Sequence, residues 1–193
     1  MLVLRRIRVL NYFGGFLNAY NAFLAAYYGV YRYSLGAKFR CWVWVLNMKL
    51  WIMRHGEANP MVDVDANRTL TSWGRAEARS SAEEVLRKGE PPEVLLVSPY
   101  RRAQQTAIEV HSVMPEARLE TVECLTPETS QELIVAYLDE IPETSIMLVS
   151  HEPLVSLLVD FLSGQQISMR TACVAFIESE YWSRKQGDLK WVI

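Results

Sequence analysis

The sequence predicts an α/β fold: a three-layer sandwich with a mainly parallel sheet flanked by helices. Two patterns carry that prediction. The short runs Lys49–Met53, Glu93–Val97 and Ser145–Val149 are dominated by apolar side chains without polar alternation, as in strands covered on both faces. Segments of helical length follow each run, so strands and helices alternate along the chain. With 193 residues, half of them apolar, the chain can bury a sizeable core.

Lys49–Met53 is a strand that runs into Arg54-His55-Gly56. Thr71–Lys88 is helical, with Ala76, Ala82, Val85 and Leu86 as candidate inward positions and Gly89 then Pro91 as the stop. Glu93–Val97 ends in Ser98-Pro99. Tyr100–Val113 is a helix that closes before Pro115, with Ser98 as its cap and Pro99 at its first position. Arg118–Val122 is a weak strand. In the helix Ser130–Asp139, Leu133, Ile134, Tyr137 and Leu138 are spaced for one face. Ser145–Val149 runs into Ser150-His151, and Pro153 suits the first turn of a helix that continues over Leu154–Leu162 to Gly164. Ala172–Ile177 and Leu189–Ile193 are the last strands, antiparallel through a turn near Gly187.

A boundary falls near Met48, giving an N-terminal extension over 1–47 and a domain over 48–193. Residues 1–48 carry six bases and no acid, which leaves 14 bases against 22 acids in the remainder. An acidic domain argues against nucleic acid as partner, because such partners call for a basic groove. Residues 9–31 hold no charge and are long enough to span a bilayer, but they are rich in aromatics and contain Asn11, Asn18 and Asn21. Four readings stay open for this stretch: a membrane anchor, a targeting segment, an accessory structured element, or upstream sequence ahead of a start at Met48. A membrane partner is expected only if 9–31 is present and inserted. The three cysteines, Cys41, Cys124 and Cys173, form no CxxC or Cys/His cluster. They predict a reducing, cytoplasmic setting, no zinc site, and small buried side chains rather than reactive thiols.

Chemistry concentrates where the predicted strands end. Arginine is always charged and can hold two phosphate oxygens at once. Histidine near its natural pKa can act as a neutral nucleophile. Glycine after the pair permits a tight turn and a close backbone approach to a ligand. Arg54-His55-Gly56 alone is a weak signal, and a surface turn is the better reading of an isolated match. Ligands in open α/β sheets bind at the carboxyl ends of strands, and that rule would bring Arg54-His55, Ser98 with the following arginines, and His151 to one edge. Ser98 lies in no Gly-x-Ser-x-Gly elbow, and His111 sits within a helix as a surface or packing residue.

The segments MRHGEA, Leu70-Thr71-x-x-Gly74, Ser98-Pro99-Tyr100-Arg101-Arg102-Ala103-x-x-Thr106, Leu125-Thr126-Pro127 and VSHEPLV occur in this order over roughly residues 49–180. In combination they resemble the histidine phosphatase superfamily, with its phosphoglycerate mutase-like fold, and are most similar to its SixA-type phosphohistidine phosphatases. The resemblance implies that His55 is the nucleophile that becomes phosphorylated. It implies that Arg54 and Arg102 hold the phosphate and that His151 completes the pocket, with Glu57 as a further substrate-binding or orienting residue. Arg101 stands at a variable position of the motif, as a solvated residue or a partner contact. No cofactor and no metal are implied. Only 48 residues separate Arg102 from His151, so the insertion that supplies an acid in ester-cleaving members is missing. An imidazole leaving group needs less acid help than an alkoxide, which favours a phosphorylated histidine-containing protein of a two-component phosphorelay as substrate. A small-molecule phosphomonoesterase and a non-catalytic phospho-ligand binding module are the alternatives.

Overall fold

The computed structural model describes residues 47–60, 64–89 and 91–193, together with the backbone of three short strands near the N-terminus. The chain divides between Asn47 and Met48 into two units. In the first, β1 (Val9–Asn11), β2 (Val30–Ser34) and β3 (Arg40–Trp44) form an antiparallel sheet in the order β1-β3-β2. The span 12–29, which makes up most of the stretch weighed as anchor or targeting segment, lies outside the described residues. Among those that are described, no helix is long and apolar enough to cross a membrane.

The second unit is the α/β sandwich. Its six strands are β4 (Met48–Arg54), β5 (Val94–Val97), β6 (Arg118–Thr121), β7 (Ser145–Ser150), β8 (Val174–Ser179) and β9 (Asp188–Val192). They lie in the order β6-β5-β7-β4-β8-β9. β6, β5, β7 and β4 are parallel, and β8 and β9 add an antiparallel edge. Four helices cover the sheet: α1 (Ser72–Lys88), α2 (Arg101–Val113), α3 (Gln131–Glu140) and α4 (Leu154–Ser163).

The continuous apolar runs form strands because both sheet faces are buried, and alternate side chains serve each face. Leu50, Ile52, Leu96, Ile146 and Leu148 pack with Ile134 and Leu138 of α3 and Leu158 and Leu162 of α4. Trp51, Met53, Leu95, Val97, Met147 and Val149 pack on the other face, with Ala78, Ala82 and Val85 of α1 and Ala103, Ala107 and Val110 of α2. The inward face of α1 is Gly74, Ala78, Ala82 and Val85, at spacings of four, four and three. Ala76 and Leu86, expected inward, are exposed, because they fall off that stripe. Leu133 likewise faces solvent, and Tyr137 is half-buried.

The helix ends obey local chemistry. Thr71 caps α1 by accepting the Gly74 N–H at 2.9 Å, and Ser130 caps α3 through Leu133 N. Gly164 closes α4 in the left-handed region, φ 75°. The cap of α2 differs from expectation: Tyr100 occupies the cap position, and Pro99 stands outside the helix.

Two glycines set the contact between the loop after β4 and the start of α1. A Cβ on Gly56 would lie 2.3 Å from the Gly74 oxygen, and one on Gly74 would lie 2.1 Å from the Glu57 oxygen. Close backbone approach is what Gly56 supplies, and its neighbour is α1. Gly74→Ala is therefore expected to destabilise the domain by about 2 kcal/mol or more, the cost of overpacking against rigid backbone. Gly89→Ala, whose added methyl meets nothing within 4 Å, should stay close to the parent. Urea unfolding of both variants checks this, and equal midpoints would refute it.

Candidate active site

β7 lies between β4 and β5, so three strand ends meet side by side. Met53 pairs with Val149, and Val149 pairs with Val97, in one row across the sheet. The next residues leave that row together: Arg54-His55 from β4, Ser98 from β5 and Ser150-His151 from β7. Backbone bonds continue past the row, from His55 N–H to Ser150 O (2.9 Å) and from Ser98 N–H to Val149 O (3.0 Å). The Ala172 N–H donates to His55 O at 3.2 Å, which ties in the turn before β8.

His55 is almost wholly buried, and both ring nitrogens are engaged. Nδ1 lies 2.7 Å from the Gly56 carbonyl oxygen, and Arg102 Nε–H donates to Nε2 across 3.0 Å. A carbonyl can only accept and a guanidinium can only donate. The neutral tautomer protonated at Nδ1, with its lone pair on Nε2, satisfies both at once. Burial depresses the His55 pKa to about 4; the bond to Gly56 opposes this, and the charges of Arg102, Arg54 and Arg68 add to it. His151 is fully buried, its ring centroid 5.1 Å from that of His55, with Nε2 2.6 Å from Ser98 Oγ. Its pKa is driven far down, first by burial and then by His55 and the arginines. Its Nδ1 is buried without a partner. The Tyr100 ring packs on it at 4.9 Å between centroids.

Arg102 stands in the first turn of α2, with its side chain buried. Besides Nε on His55, Nη1 donates to the Asp65 carbonyl oxygen at 2.7 Å and Nη2 to Asp65 Oδ2 at 2.9 Å. One N–H on each Nη is left over from these bonds. Arg54 donates from Nη1 to Met169 O at 2.8 Å, while its Nε is buried and unpaired. Glu57 is placed differently. Its carboxylate accepts from Thr71 Oγ1 at 2.6 Å and its N–H donates to Glu77, so its bonds run to α1. His111 lies on α2, half-buried, with a buried unpaired Nδ1 and no contact to this cluster.

Several residues of the cluster carry no sequence signal of their own. Asp65 sits in a single 3-10 turn, Asp65–Asn67, inside a polar loop. Arg68 Nη1 pairs with its Oδ1 at 3.2 Å. Burial works to raise the Asp65 pKa, and the bonds from Arg68 and Arg102 outweigh it and hold the group below the usual carboxylate range. An acid and a base three residues apart in a loop look like any solvated pair until the fold brings Arg102 to them. Thr106, one letter of the motif, accepts the Gly56 N–H at 3.1 Å and donates to Arg102 O at 2.8 Å. Ser98 is the reverse case: expected as the cap of α2, it lies two residues ahead of the cap, where its Oγ accepts weakly from Tyr100 N–H at 3.3 Å and engages His151. Among the described residues no three His, Cys, Asp or Glu side chains gather as a metal site. Burial raises the pKa of the half-buried Cys124 and Cys173, which keeps both as thiols.

The buried neutral imidazoles make stability depend on pH. Below pH 6.5 the unfolded chain takes a proton on His55 that the folded state refuses until about pH 4. Stability is therefore full above 6.5 and falls as pH drops through this window, by up to about 3 kcal/mol from His55. Urea midpoints between pH 7 and 4 should show this fall, and His55→Asn should flatten it. Equal slopes in the two proteins would contradict the assignment.

Comparison with known proteins accords with this geometry. The family model described as "Histidine phosphatase superfamily (branch 1)" matches residues 50–127. The chain is 33% identical to the "Phosphohistidine phosphatase SixA homolog" of Haemophilus influenzae over 141 residues, 66% of this chain and 86% of that protein. It is 37% identical to "Phosphohistidine phosphatase SixA" of Escherichia coli over 118 residues, 58% of this chain and 72% of that one. A solved structure of the protein histidine phosphatase SixA complexed with tungstate superimposes with a TM-score of 0.65 at 31% identity, covering 76% of this chain and 96% of that one. At these identities and lengths the conclusion is direct: the chain belongs to the histidine phosphatase superfamily, and it is a phosphatase.

Proposed function

We propose that the domain removes phosphate from phosphorylated histidine on a signalling protein, through a phospho-His55 intermediate. The observation that carries this reading is the state of His55: a neutral ring, its proton on Nδ1 toward Gly56 O and its Nε2 lone pair beside Arg102. Nε2 attacks phosphorus, the P–N bond to the donor histidine breaks, and the donor ring, protonated on its other nitrogen, takes the electron pair and departs as neutral imidazole. Water then attacks phospho-His55, the new P–N bond breaks, and His55 leaves as a neutral imidazole because Nδ1 keeps its proton. Arg54, the two remaining Nη N–H groups of Arg102, and His151 complement the charge on the equatorial oxygens of the transferring phosphoryl group. Arg102 Nε must leave Nε2 for attack to occur, and phosphoryl oxygens offer its fork the alternative acceptors. Glu57 borders the site through its bond to the cap of α1.

The substrate class rests on what stands between Arg102 and His151. Those residues complete α2 and form β6, α3 and β7, with no inserted lid to supply an acid or cover the pocket. A phosphoramidate leaves as imidazole and needs little proton help, and an open edge admits a protein-borne group. The SixA relatives are named for phosphohistidine, and one is solved with tungstate, a tetrahedral oxyanion like phosphate.

Phosphate release from a phosphorylated histidine-phosphotransfer domain is expected to exceed that from p-nitrophenyl phosphate by at least tenfold in kcat/KM. His55→Ala should abolish both, along with the acid-labile phosphoenzyme. Faster turnover of the ester would overturn the substrate assignment, and an active His55→Ala enzyme would overturn the mechanism. Asp65→Asn removes the charge that holds the Arg102 fork. It should lower kcat/KM by about tenfold, as expected for weakening a charge-assisted bond, with only a modest fall in urea midpoint because Asp65 is 43% exposed and the Asn oxygen can still accept from Arg102. Unchanged kinetics would show that Arg102 needs no tether.

A further inference from the structure

Ser98 and His151 are both fully buried, so their polar atoms depend on the protein for partners. Ser98 Oγ lies 2.6 Å from His151 Nε2 and 3.3 Å from Tyr100 N, whose N–H can only donate. No other bond joins this hydroxyl among the described residues. His151 Nδ1 is buried with no partner at all. Burial, followed by the neighbouring His55 ring and the charge of Arg102, keeps the His151 ring neutral, so it carries a single N–H.

A single N–H leaves two arrangements. With the proton on Nε2, the ring donates to Ser98 Oγ, which then accepts from both sides. The serine hydrogen has no acceptor and the Nδ1 lone pair has no donor, so two buried groups go unsatisfied. With the proton on Nδ1, the Ser98 hydroxyl donates to Nε2 and accepts from Tyr100 N–H. Only the Nδ1–H is then left over. Each unmade bond in a buried place is costly, and the second arrangement has fewer of them. The one orphan it keeps is a donor, on a ring whose centroid is 5.1 Å from that of His55. Arg54 Nε is a second buried donor without a partner.

Resting on the function proposed above, we infer that Ser98 is a positioning residue: its hydroxyl donates to His151 Nε2 and thereby reserves the Nδ1–H of His151 for an oxygen of the phosphoryl group at His55. Ser98 acts through the ring and touches no reacting atom. The serine follows β5 and the histidine follows β7, neighbouring strands in register, which is why the two meet. A ring held in this way donates a hydrogen bond and keeps its proton, because losing Nδ1–H while Nε2 accepts from serine would leave an imidazolate. His151 therefore steadies charge on the phosphoryl oxygens without protonating the leaving group. That division suits a donor imidazole that carries its own proton, and it leaves an alkoxide with no acid from this histidine.

Nitrogen NMR of the imidazoles at neutral pH reads the tautomer directly, with the three histidines assigned through His111→Gln and His151→Gln. His151 is expected to show Nδ1 protonated and Nε2 as acceptor. A proton on Nε2 in the parent would overturn the inference whatever the activity, and this arm needs no variant of Ser98 to fold. Ser98→Ala is expected to mix the tautomers and to lower kcat on a phosphorylated histidine-phosphotransfer domain by about tenfold, with KM within about twofold, as for one hydrogen bond made fully in the transition state. Ser98→Thr, which keeps the hydroxyl, should restore the Nδ1–H signal and most of kcat. Unchanged kcat in Ser98→Ala, or a loss of kcat with the parental tautomer retained, would overturn the positioning role. A parent enzyme that leaves phosphohistidine intact would instead overturn the functional reading beneath it, and the spectrum would still report the tautomer.

Discussion

The pairing of β7 between β4 and β5 is the constraint from which the site follows. Parallel strands in register end in register, and here Val97, Val149 and Met53 end in one row. Each residue just beyond that row is polar and carries a pocket group or holds one. The backbone bonds from His55 N–H and Ser98 N–H extend the ladder by one step past the last apolar residue. Loops at this edge therefore start from fixed points. Had β7 been added outside β5, His151 would stand a strand spacing or more further from His55, roughly 5 Å per strand.

A second constraint is electrostatic. The pocket gathers Arg54 and Arg102 around two imidazoles in a buried place, where charge is costly. The protein manages this by keeping both imidazoles neutral and by anchoring the guanidiniums to oxygens. Met169 O accepts from Arg54, and the carbonyl and carboxylate of Asp65 accept from Arg102. Only one of those oxygens carries a full negative charge. The cluster thus keeps a positive balance, which suits the dianionic phosphoryl group of the proposed reaction.

The glycine pair links the loop after His55 to the scaffold. Gly56 and Gly74 allow the chain after His55 to run backbone against backbone with the start of α1. Thr106 accepts the Gly56 N–H from the α2 side. Both helices on one face of the sheet therefore brace a single tripeptide, which holds the His55 ring where its Nδ1 meets the Gly56 carbonyl.

The order of strands and helices was readable from residue types alone, because unbroken apolar runs such as Val94–Val97 tolerate burial on both faces and little else. Arg54, His55, Arg102 and His151 stood out only through the combination of motifs and the resemblance it carries, and the fold brings these four together. The finer choices were beyond local pattern. Ala76 and Ala78 are the same residue on the same helix, and only the packing of α1 on Trp51 and Met53 decides which is buried. Asp65 resembles any loop acid until a guanidinium from a residue 37 positions away reaches it. Ser98 reads as a cap from its neighbours, but Tyr100 holds that position, and the bond of Ser98 to His151 exists only because His151 arrives from another strand. What the sequence determined by itself was the set of elements and the reactive side chains at their ends, because these follow from burial and from short motifs in combination. The tertiary structure alone decided which strands are neighbours, which tautomer His55 holds and what anchors Arg102, because each depends on contacts between segments far apart in the chain.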